Sequence, residues 1–176
     1  MDNFEIDRAM RTFTILVDSR EQDTERSRER YRAFQAPYER CKLNFGDYSA
    51  KVTDDDGNEI SLCNRLSVER KMNLDELCNC YCRDRKRFER EFLRAKSMGA
   101  KIYLLIENAN WELAYAGRYK SQMNANALIA SMTAWLARYN CQLIMCKEET
   151  SGKLIRDLLY REMKEYLQQK KYLQQI

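Results

Sequence analysis

Apolar residues recur in short runs through the first half of the chain, a pattern that predicts β-strands. A β-branched and aliphatic run over residues 13–17 predicts a buried strand that ends at Asp18. The single proline, Pro37, marks a boundary before the next strand, and the pair Asp56-Gly57 is typical of a hairpin turn. The predicted strands cover residues 13–17, 41–45, 48–53, 59–63 and 66–71.

The second half of the chain alternates helical and strand patterns. Asn73 is a candidate cap of the helix over residues 74–81, and Gly99 ends the next helix, over residues 84–98. Residues 23–35 are strongly charged and fit either a helix or a loop. The predicted helices cover residues 74–81, 84–98, 121–139 and about 150–169, and the predicted strands cover 101–106 and 141–146. Alanines at positions 127, 130, 134 and 137 form a stripe suited to close packing on a sheet.

Strands come first and helices then alternate with strands, an order that predicts an α/β domain. We expect a mixed β-sheet flanked by helices on both faces. The length of 176 residues corresponds to one domain, and a hydrophobic share of 44% is enough for a core. Residues 1–176 are therefore predicted to form a single domain.

Composition excludes several classes of site. The chain has no histidine, so His-based triads, His general bases and His-ligated zinc are excluded. No stretch approaches the roughly 20 apolar residues that a membrane span needs, and the N-terminus is acidic, unlike a secretory signal. Seven cysteines without an export signal indicate reduced thiols. We therefore expect a cytoplasmic or nucleoid-associated protein without membrane contact.

Positive charge is concentrated in one region, although the net charge is only +4. Residues 83–101 carry eight Lys or Arg against three Asp or Glu. Arg83, Arg87, Arg90 and Arg94 recur at helical spacing, and Arg85 lies beside them. This stripe is either a phosphate-contacting surface or a solvated helix face balanced by nearby glutamates, and its proximity to Lys71 favours contact with DNA. Four alternating arginines over residues 26–32 leave the same choice between a phosphate patch and a charged loop.

The predicted strand at 66–71 carries the candidate chemistry. Side chains alternate along a strand, so Glu69 and Lys71 point to one side and Arg70 to the other. Asp47 follows a glycine upstream and brings a second carboxylate. Carboxylates and a backbone carbonyl, here that of Arg70, are the ligands that hard divalent cations prefer. Lys71 would orient a water and offset negative charge at a phosphate.

Asp18 and Glu21 add acidic groups at the end of another predicted strand, a common place for site residues in α/β sheets.

Two other clusters, one of cysteines and one of acidic residues, fit ordinary structure better than a metal site. Cys78, Cys80 and Cys82 lack the spacing of a structural zinc site, and residues 54–58 lack the pattern of a calcium loop.

The sequence resembles the nuclease domain of the XPF family of structure-specific endonucleases. The motifs that carry the resemblance are residues 17–21 (VDSRE), 46–48 (GDY), 68–71 (VERK) with Asp75, and the segments 83–88 and 101–107. The similarity spans about residues 13–165. It implies a restriction-endonuclease-like fold, and it places the family's active-site positions on Asp18, Glu21, Asp47, Glu69, Arg70 and Lys71.

The resemblance further implies Mg²⁺- or Mn²⁺-dependent cleavage of branched or flap DNA, in DNA repair or recombination. Members of this family commonly pair, so a homodimer is expected, with the alanine-rich helix, the last helix and the tail at Tyr172, Leu173 and Ile176 as candidate contacts. No helix-hairpin-helix module is recognised, which fits a stand-alone form of the kind a phage or prophage encodes. The alternative is a non-catalytic, junction-binding subunit of a nuclease pair.

Overall fold

A computed structural model describes residues 1–173, with side chains through residue 170. Its helices are α1 (Asn3–Arg11), α2 (Glu25–Ala33), α3 (Leu74–Cys82), α4 (Arg85–Ser97), α5 (Trp111–Tyr115), α6 (Ala125–Arg138) and α7 (Glu148–Leu173). Its strands are β1 (Thr14–Asp18), β2 (Tyr38–Cys41), β3 (Tyr48–Thr53), β4 (Glu59–Ser61), β5 (Leu66–Lys71), β6 (Lys101–Glu107) and β7 (Cys141–Cys146). The described residues divide into two compact units. The first holds residues 1–43, 48–63 and those from 152 onward, and the second holds residues 44–47 and 64–151.

The first unit contains strands of mixed direction. Strand β1 pairs in parallel with β2 and antiparallel with β3, which pairs antiparallel with β4. Aromatic rings pack beside these strands, with the rings of Phe34 and Tyr48 centred 5.9 Å apart. Helix α7 approaches α2 at Gly152, where a Cβ atom would lie 2.5 Å from the backbone oxygen of Arg30. Only glycine permits this contact without displacing one of the helices.

The second unit is built on three parallel strands in the order β5-β6-β7. Alternate residues of β6, namely Ile102, Leu104 and Ile106, enter a core with aromatic side chains from α4 and α6. Trp135 is fully buried there, and its ring stacks on that of Phe88 at 5.7 Å. In the β5–β6 register, Glu69 pairs with Leu104 and Lys71 with Ile106. Paired residues share a face, so the two charged side chains of β5 point to the side where this core lies.

The predicted α/β fold with a mixed sheet flanked by helices is confirmed. Strands β3, β5 and β7 have the predicted bounds, and Asn73 caps α3 by accepting a hydrogen bond from the backbone of Glu76. The charged segment at 23–35 contains a helix, α2. The single-domain organisation of residues 1–176 stays a prediction. Among the described residues, no helix is both long enough and apolar enough to cross a membrane.

Three predictions about individual elements are wrong. Strand β2 covers Tyr38–Cys41, directly after Pro37, and residues 42–45 form a loop in which Leu43 and Phe45 are buried. Helix α6 starts at Ala125 rather than at residue 121, because Asn124 provides its cap. The alanine stripe is largely exposed, since the buried face of α6 consists of Leu128, Met132 and Trp135. Helices α1 and α5 were not predicted, and the tail at Tyr172, Leu173 and Ile176 lies outside the described side chains.

Candidate active site

Strand β5 holds a buried ion pair in the second unit. The Nζ atom of Lys71 lies 2.5 Å from Oε1 of Glu69, and the two residues are only 8% and 4% exposed. Arg70 points to the other side, where its Nε atom is 3.5 Å from Oε1 of the fully buried Glu107. The predicted alternation of the three side chains is confirmed.

Burial and neighbouring charge compete at this pair. Burial would lower the pKa of Lys71, but the negative charges of Glu69 and Asp47 outweigh it and raise the pKa above its ordinary value. Lys71 is therefore an ammonium cation at neutral pH. Burial raises the pKa of Glu69, and the positive charge of Lys71 opposes that rise. The ionised carboxylate of Glu69 thus depends on the lysine beside it.

Asp47 is fixed on the backbone of β5. Gly46 has a φ of +70°, and a Cβ atom there would collide with Oγ of Ser67 and lie 3.2 Å from the backbone oxygen of Val68. This close approach lets the backbone N–H of Asp47 donate to the Val68 oxygen at 2.9 Å. The backbone N–H of Arg70 in turn donates to Oδ2 of Asp47 at 2.8 Å. Asp47, Glu69, Arg70 and Lys71 are therefore brought together, as the sequence predicts.

Several neighbours of this group were not predicted as site residues. Burial raises the pKa of the Cys80 thiol to about 11, although the positive charge of Lys71 acts in the opposite direction. The ring of Phe88 is centred 5.3 Å from the Lys71 Nζ atom. Glu107 has a signal in the sequence, since it is an acid at the end of an otherwise apolar run (YLLIE). Cys80 has none because a single cysteine in a helix has no spacing signal, and Phe88 has none because it belongs to the buried face of α4.

Asp18 lies in the first unit and is heavily hydrogen-bonded. Its carboxylate accepts from the backbone N–H, Nε and Nη2 of Arg20 at 2.7, 2.8 and 2.6 Å. It also accepts from the backbone of Leu43 at 3.1 Å. Burial would raise the pKa of Asp18, but these hydrogen bonds and the charge of Arg20 hold it below its ordinary value. The Arg20 side chain, half exposed, is thereby held in one orientation.

Glu21 shares the first unit with Asp18 and contacts a buried arginine. Its Oε1 atom is 3.5 Å from Nη1 of Arg30 and accepts from the Tyr48 hydroxyl at 3.2 Å. Arg30 is 5% exposed and itself donates to the Tyr48 hydroxyl. The alternating arginines of residues 26–32 are thus divided, with Arg30 supporting Glu21 while the other three are exposed.

The basic residues after α3 are exposed. Arg85, Arg87, Arg90 and Arg94 lie on α4, and Phe88, Phe92 and Ala95 form its buried face. Arg83 precedes this helix and ends α3 instead, so its predicted place on the α4 stripe is wrong. Arg94 lies 3.8 Å from Glu91, and the Arg85 guanidinium is 5.7 Å from the Trp135 ring. The remaining positive charge of the stripe faces solvent.

The cysteines of α3 do not share one environment, and residues 54–58 form a hairpin turn. Cys78 is buried, Cys82 is exposed and all seven cysteines are free thiols. Residues 54–58 form the turn between β3 and β4, where Oδ1 of Asp54 accepts from the backbone of Asn58 at 2.8 Å. Among residues 1–173, no three or more His, Cys, Asp or Glu side chains are arranged to hold a metal ion.

Comparison with known proteins identifies a domain family and solved structures of similar fold. Residues 17–158 match the ERCC4 domain. XPF from Aeropyrum pernix has a similar structure, with a TM-score of 0.59 at 18% sequence identity over 85% of this chain and 61% of that chain. XPF from Aeropyrum pernix in complex with DNA gives a TM-score of 0.58 at 20% identity, over 84% of this chain and 63% of that chain. No curated protein sequence matches the chain.

The chain spans less than two thirds of the length of these XPF structures. The likeness confirms the predicted XPF-type fold, and the matched domain confirms the resemblance found in the sequence. Because the domain match extends over most of its length, the chain belongs to the ERCC4 domain family.

Proposed function

We propose that the chain is a metal-dependent DNA endonuclease that hydrolyses phosphodiester bonds in branched or flap DNA, with a role in repair or recombination. The observation that carries the proposal is the buried Lys71 ammonium 2.5 Å from Glu69, on the strand whose backbone also binds Asp47. Two carboxylates and a fixed cation are the groups that phosphodiester hydrolysis requires. Membership of the ERCC4 domain family supports the same conclusion.

The donor set of the second unit suits a hard, hydrated cation. Mg²⁺ keeps several waters and takes only one or two carboxylates from a protein, so it does not require a cluster of three acidic side chains. Asp47, Glu69 and the backbone carbonyl of Arg70 would hold Mg²⁺ or Mn²⁺. When bound, such an ion supplies Lewis-acid polarisation of the phosphate and acidifies a water.

The residues around this position have separate tasks in our proposal. Lys71 acts as a cation and not as a general base, because its raised pKa keeps it protonated. It would neutralise charge on the phosphate oxygens and orient the attacking water. Glu69 holds the Lys71 amine in place through their hydrogen bond. Arg70 contributes through its backbone, since its guanidinium is directed to Glu107.

The acids of the first unit have a different proposed task. Four hydrogen bonds engage Asp18, so we assign it the positioning of Arg20 rather than direct contact with a metal. The half-exposed Arg20 guanidinium is then ready to bind a phosphate. Glu21 remains a candidate site acid of the first unit, acting through water or a second metal.

DNA is the proposed ligand of the exposed α4 arginines, joined by Arg83. One of the similar XPF structures was solved in complex with DNA, which supports this ligand class. The arginines would contact phosphates without reading sequence. A homodimer is proposed as the functional assembly. The proposed location is the cytoplasm, since free thiols on all seven cysteines fit a reducing compartment.

The Asp18 carboxylate is already hydrogen-bonded to Arg20, and this favours a second candidate function. In it, the chain is a DNA-junction-binding subunit that does not cleave. Cleavage of labelled flap, fork, four-way-junction and linear DNA with Mg²⁺ or Mn²⁺ separates the two candidates. We expect cleavage of a branched substrate, its loss in EDTA with DNA binding retained, and a loss of about 100-fold or more in Lys71→Ala. Binding without cleavage of any substrate would leave the non-catalytic candidate.

The chain offers a matched control for the lysine variant. Lys51 also lies between carboxylates, at 2.7 Å from Glu39 and 2.9 Å from Glu59, but on the strands of the first unit. Lys51→Ala should cleave at the wild-type rate. A loss of cleavage equal to that of Lys71→Ala would mean that the assay reports general damage to the fold, and it would refute the assigned role of Lys71.

A further inference from the structure

An exposed aromatic and basic surface follows β6 in the second unit. We define it as the 111–120 surface, formed by Trp111, Tyr115, Arg118 and Lys120. Tyr115 is 65% exposed, one of the largest exposures of a big apolar side chain among the described residues. The rings of Trp111 and Tyr115 are centred 6.2 Å apart and inclined by 42°. Arg118 and Lys120 are both exposed, against one exposed acid of the segment, Glu112.

The fold holds this surface in a defined shape. Asn110 caps α5 by accepting from the backbone of Leu113 at 2.8 Å, and Ala114 anchors the helix in the core. Gly117 adopts a φ of +62°, which turns the chain sharply after the helix. The Tyr119 hydroxyl then donates to the backbone oxygen of Met123 at 2.8 Å. The exposed Tyr115 ring, with the half-buried Trp111 ring beside it, is thus presented by an ordered turn.

The 111–120 surface is tied to the strand that carries the candidate site. Oδ1 of Asp75 accepts from the backbone N–H groups of Lys120 and Ser121, both at 2.7 Å. Asp75 lies in the first turn of α3, the helix that directly follows β5 and Lys71. Helix α5 likewise follows the end of β6, which pairs in register with the end of β5. The surface and the site therefore share the carboxyl ends of these strands.

Exposed rings beside cations are suited to unpaired nucleotides. Each base has a π-face that stacks on an aromatic side chain whatever the sequence, and nearby cations bind the flanking phosphates. The base faces of a duplex are covered by their neighbours, whereas those of a flap or a splayed arm are accessible. A protein partner would also cover apolar rings, but the charge of Arg118 and Lys120 favours a polyanion.

We propose that the 111–120 surface binds the single-stranded arm of the substrate, with a base stacked on Tyr115 and Trp111 and phosphates on Arg118 and Lys120. This proposal rests on the proposed function, because it names the part of the DNA that the nuclease holds. Asp75 joins the surface to α3, the helix that follows β5, through the backbone of Lys120 and Ser121.

Equilibrium binding without metal tests the proposal, using fluorescent single-stranded, blunt duplex and forked DNA of matched sequence. Stacking of one base corresponds to a loss of roughly 5- to 150-fold on removal of the ring. We expect Tyr115→Ala to lose affinity in this range for single-stranded and forked DNA and to bind the duplex as wild type does. Tyr115→Phe, which keeps the ring, should bind all three as wild type does. Met98→Ala is the matched control, since Met98 is 46% exposed and precedes the opposite end of β6.

Three results would overturn the proposal. Unchanged affinity in Tyr115→Ala would remove the stacking role, and an equal loss on all three DNAs would point to general phosphate contact. Loss of a dimer in sedimentation, with DNA affinity unchanged, would assign the surface to a protein partner. Thermal unfolding of each variant confirms that it is folded. Cleavage of forked DNA by the wild-type protein is measured separately. It shows whether the proposed nuclease activity holds even when the stacking role does not.

Discussion

Replacing Lys71 by methionine leaves the Glu69 carboxylate buried without the ammonium group that now lies 2.5 Å from it. Both residues are less than a tenth exposed, so water does not replace the lost partner. Removing one member of a buried ion pair costs about 3–5 kcal/mol. For a chain of this length, that loss corresponds to a fall in Tm of about 8–14 °C.

The sign of the pH dependence follows from Glu69. Burial already raises the pKa of Glu69 above its ordinary value, and without Lys71 the rise becomes larger. A carboxyl with a raised pKa in the folded state favours folding at low pH, and that contribution is lost as the pH rises from about 4.3 through the folded-state pKa. The free energy of unfolding of Lys71→Met should therefore lie slightly below that of the wild type near pH 5 and far below it near pH 8.

Urea unfolding followed by circular dichroism at both pH values measures this difference. The double variant Glu69→Gln/Lys71→Met removes both charges and should recover much of the stability at pH 8. Lys51→Met, the surface control, should change the free energy of unfolding by no more than about 1 kcal/mol, because its carboxylate partners are exposed. A deficit in Lys71→Met that is independent of pH would refute the assignment of Glu69 as a buried, lysine-dependent carboxylate.

Three further predictions concern the same unit. Gly46→Ala should lower Tm more than Gly57→Ala, since both glycines have positive φ but only Gly46 contacts Ser67 closely; equal losses would contradict this. Mn²⁺ affinity should fall as the pH drops toward the ordinary Glu value of about 4.3, because burial raises the pKa of Glu69 in the metal-free protein and protons then compete with the metal for its carboxylate; an affinity that stays unchanged down to that pH would contradict it. Glu107→Gln should cost about 3 kcal/mol in urea unfolding by leaving the Arg70 guanidinium poorly paired; a wild-type midpoint would contradict the ion pair.

The sequence predicts elements well where the side-chain pattern itself determines the structure. Strands β5 and β7 have strong patterns bounded by polar or turn residues, and their predicted limits agree with the structure. The Glu69-Arg70-Lys71 geometry was predictable because strand alternation needs no information beyond the strand itself. Asp47 was predictable through its glycine, which marks a close backbone approach.

Other features depend on partners that are distant in the sequence. Strand β2 exposes Tyr38, Glu39 and Arg40, so its existence rests on parallel backbone pairing with β1 and leaves no apolar signal. The sequence does not distinguish Arg30 from the arginines around it. Its role follows only from the fold, in which α2 buries Arg30 beside Glu21. Helix α1 has a local signal in the sequence, the capping box formed by Asp2 and Glu5. Because both residues are acidic, the overall acidic composition of the N-terminus concealed that signal.

Strand β5 connects every part of the second-unit site, and this limits which changes the site tolerates. One face of the strand carries the Glu69–Lys71 pair, the other directs Arg70 to Glu107, and the backbone between them binds Asp47. A shift of β5 by one residue would exchange the two faces and break all three contacts at once. The parallel register with β6 opposes that shift, because it places the fully buried Val68 opposite the buried Tyr103. Val68→Phe replaces no charged group but should displace the strand and so reduce cleavage of branched DNA in a gel assay; cleavage at the wild-type rate by the folded variant would contradict this role of the register.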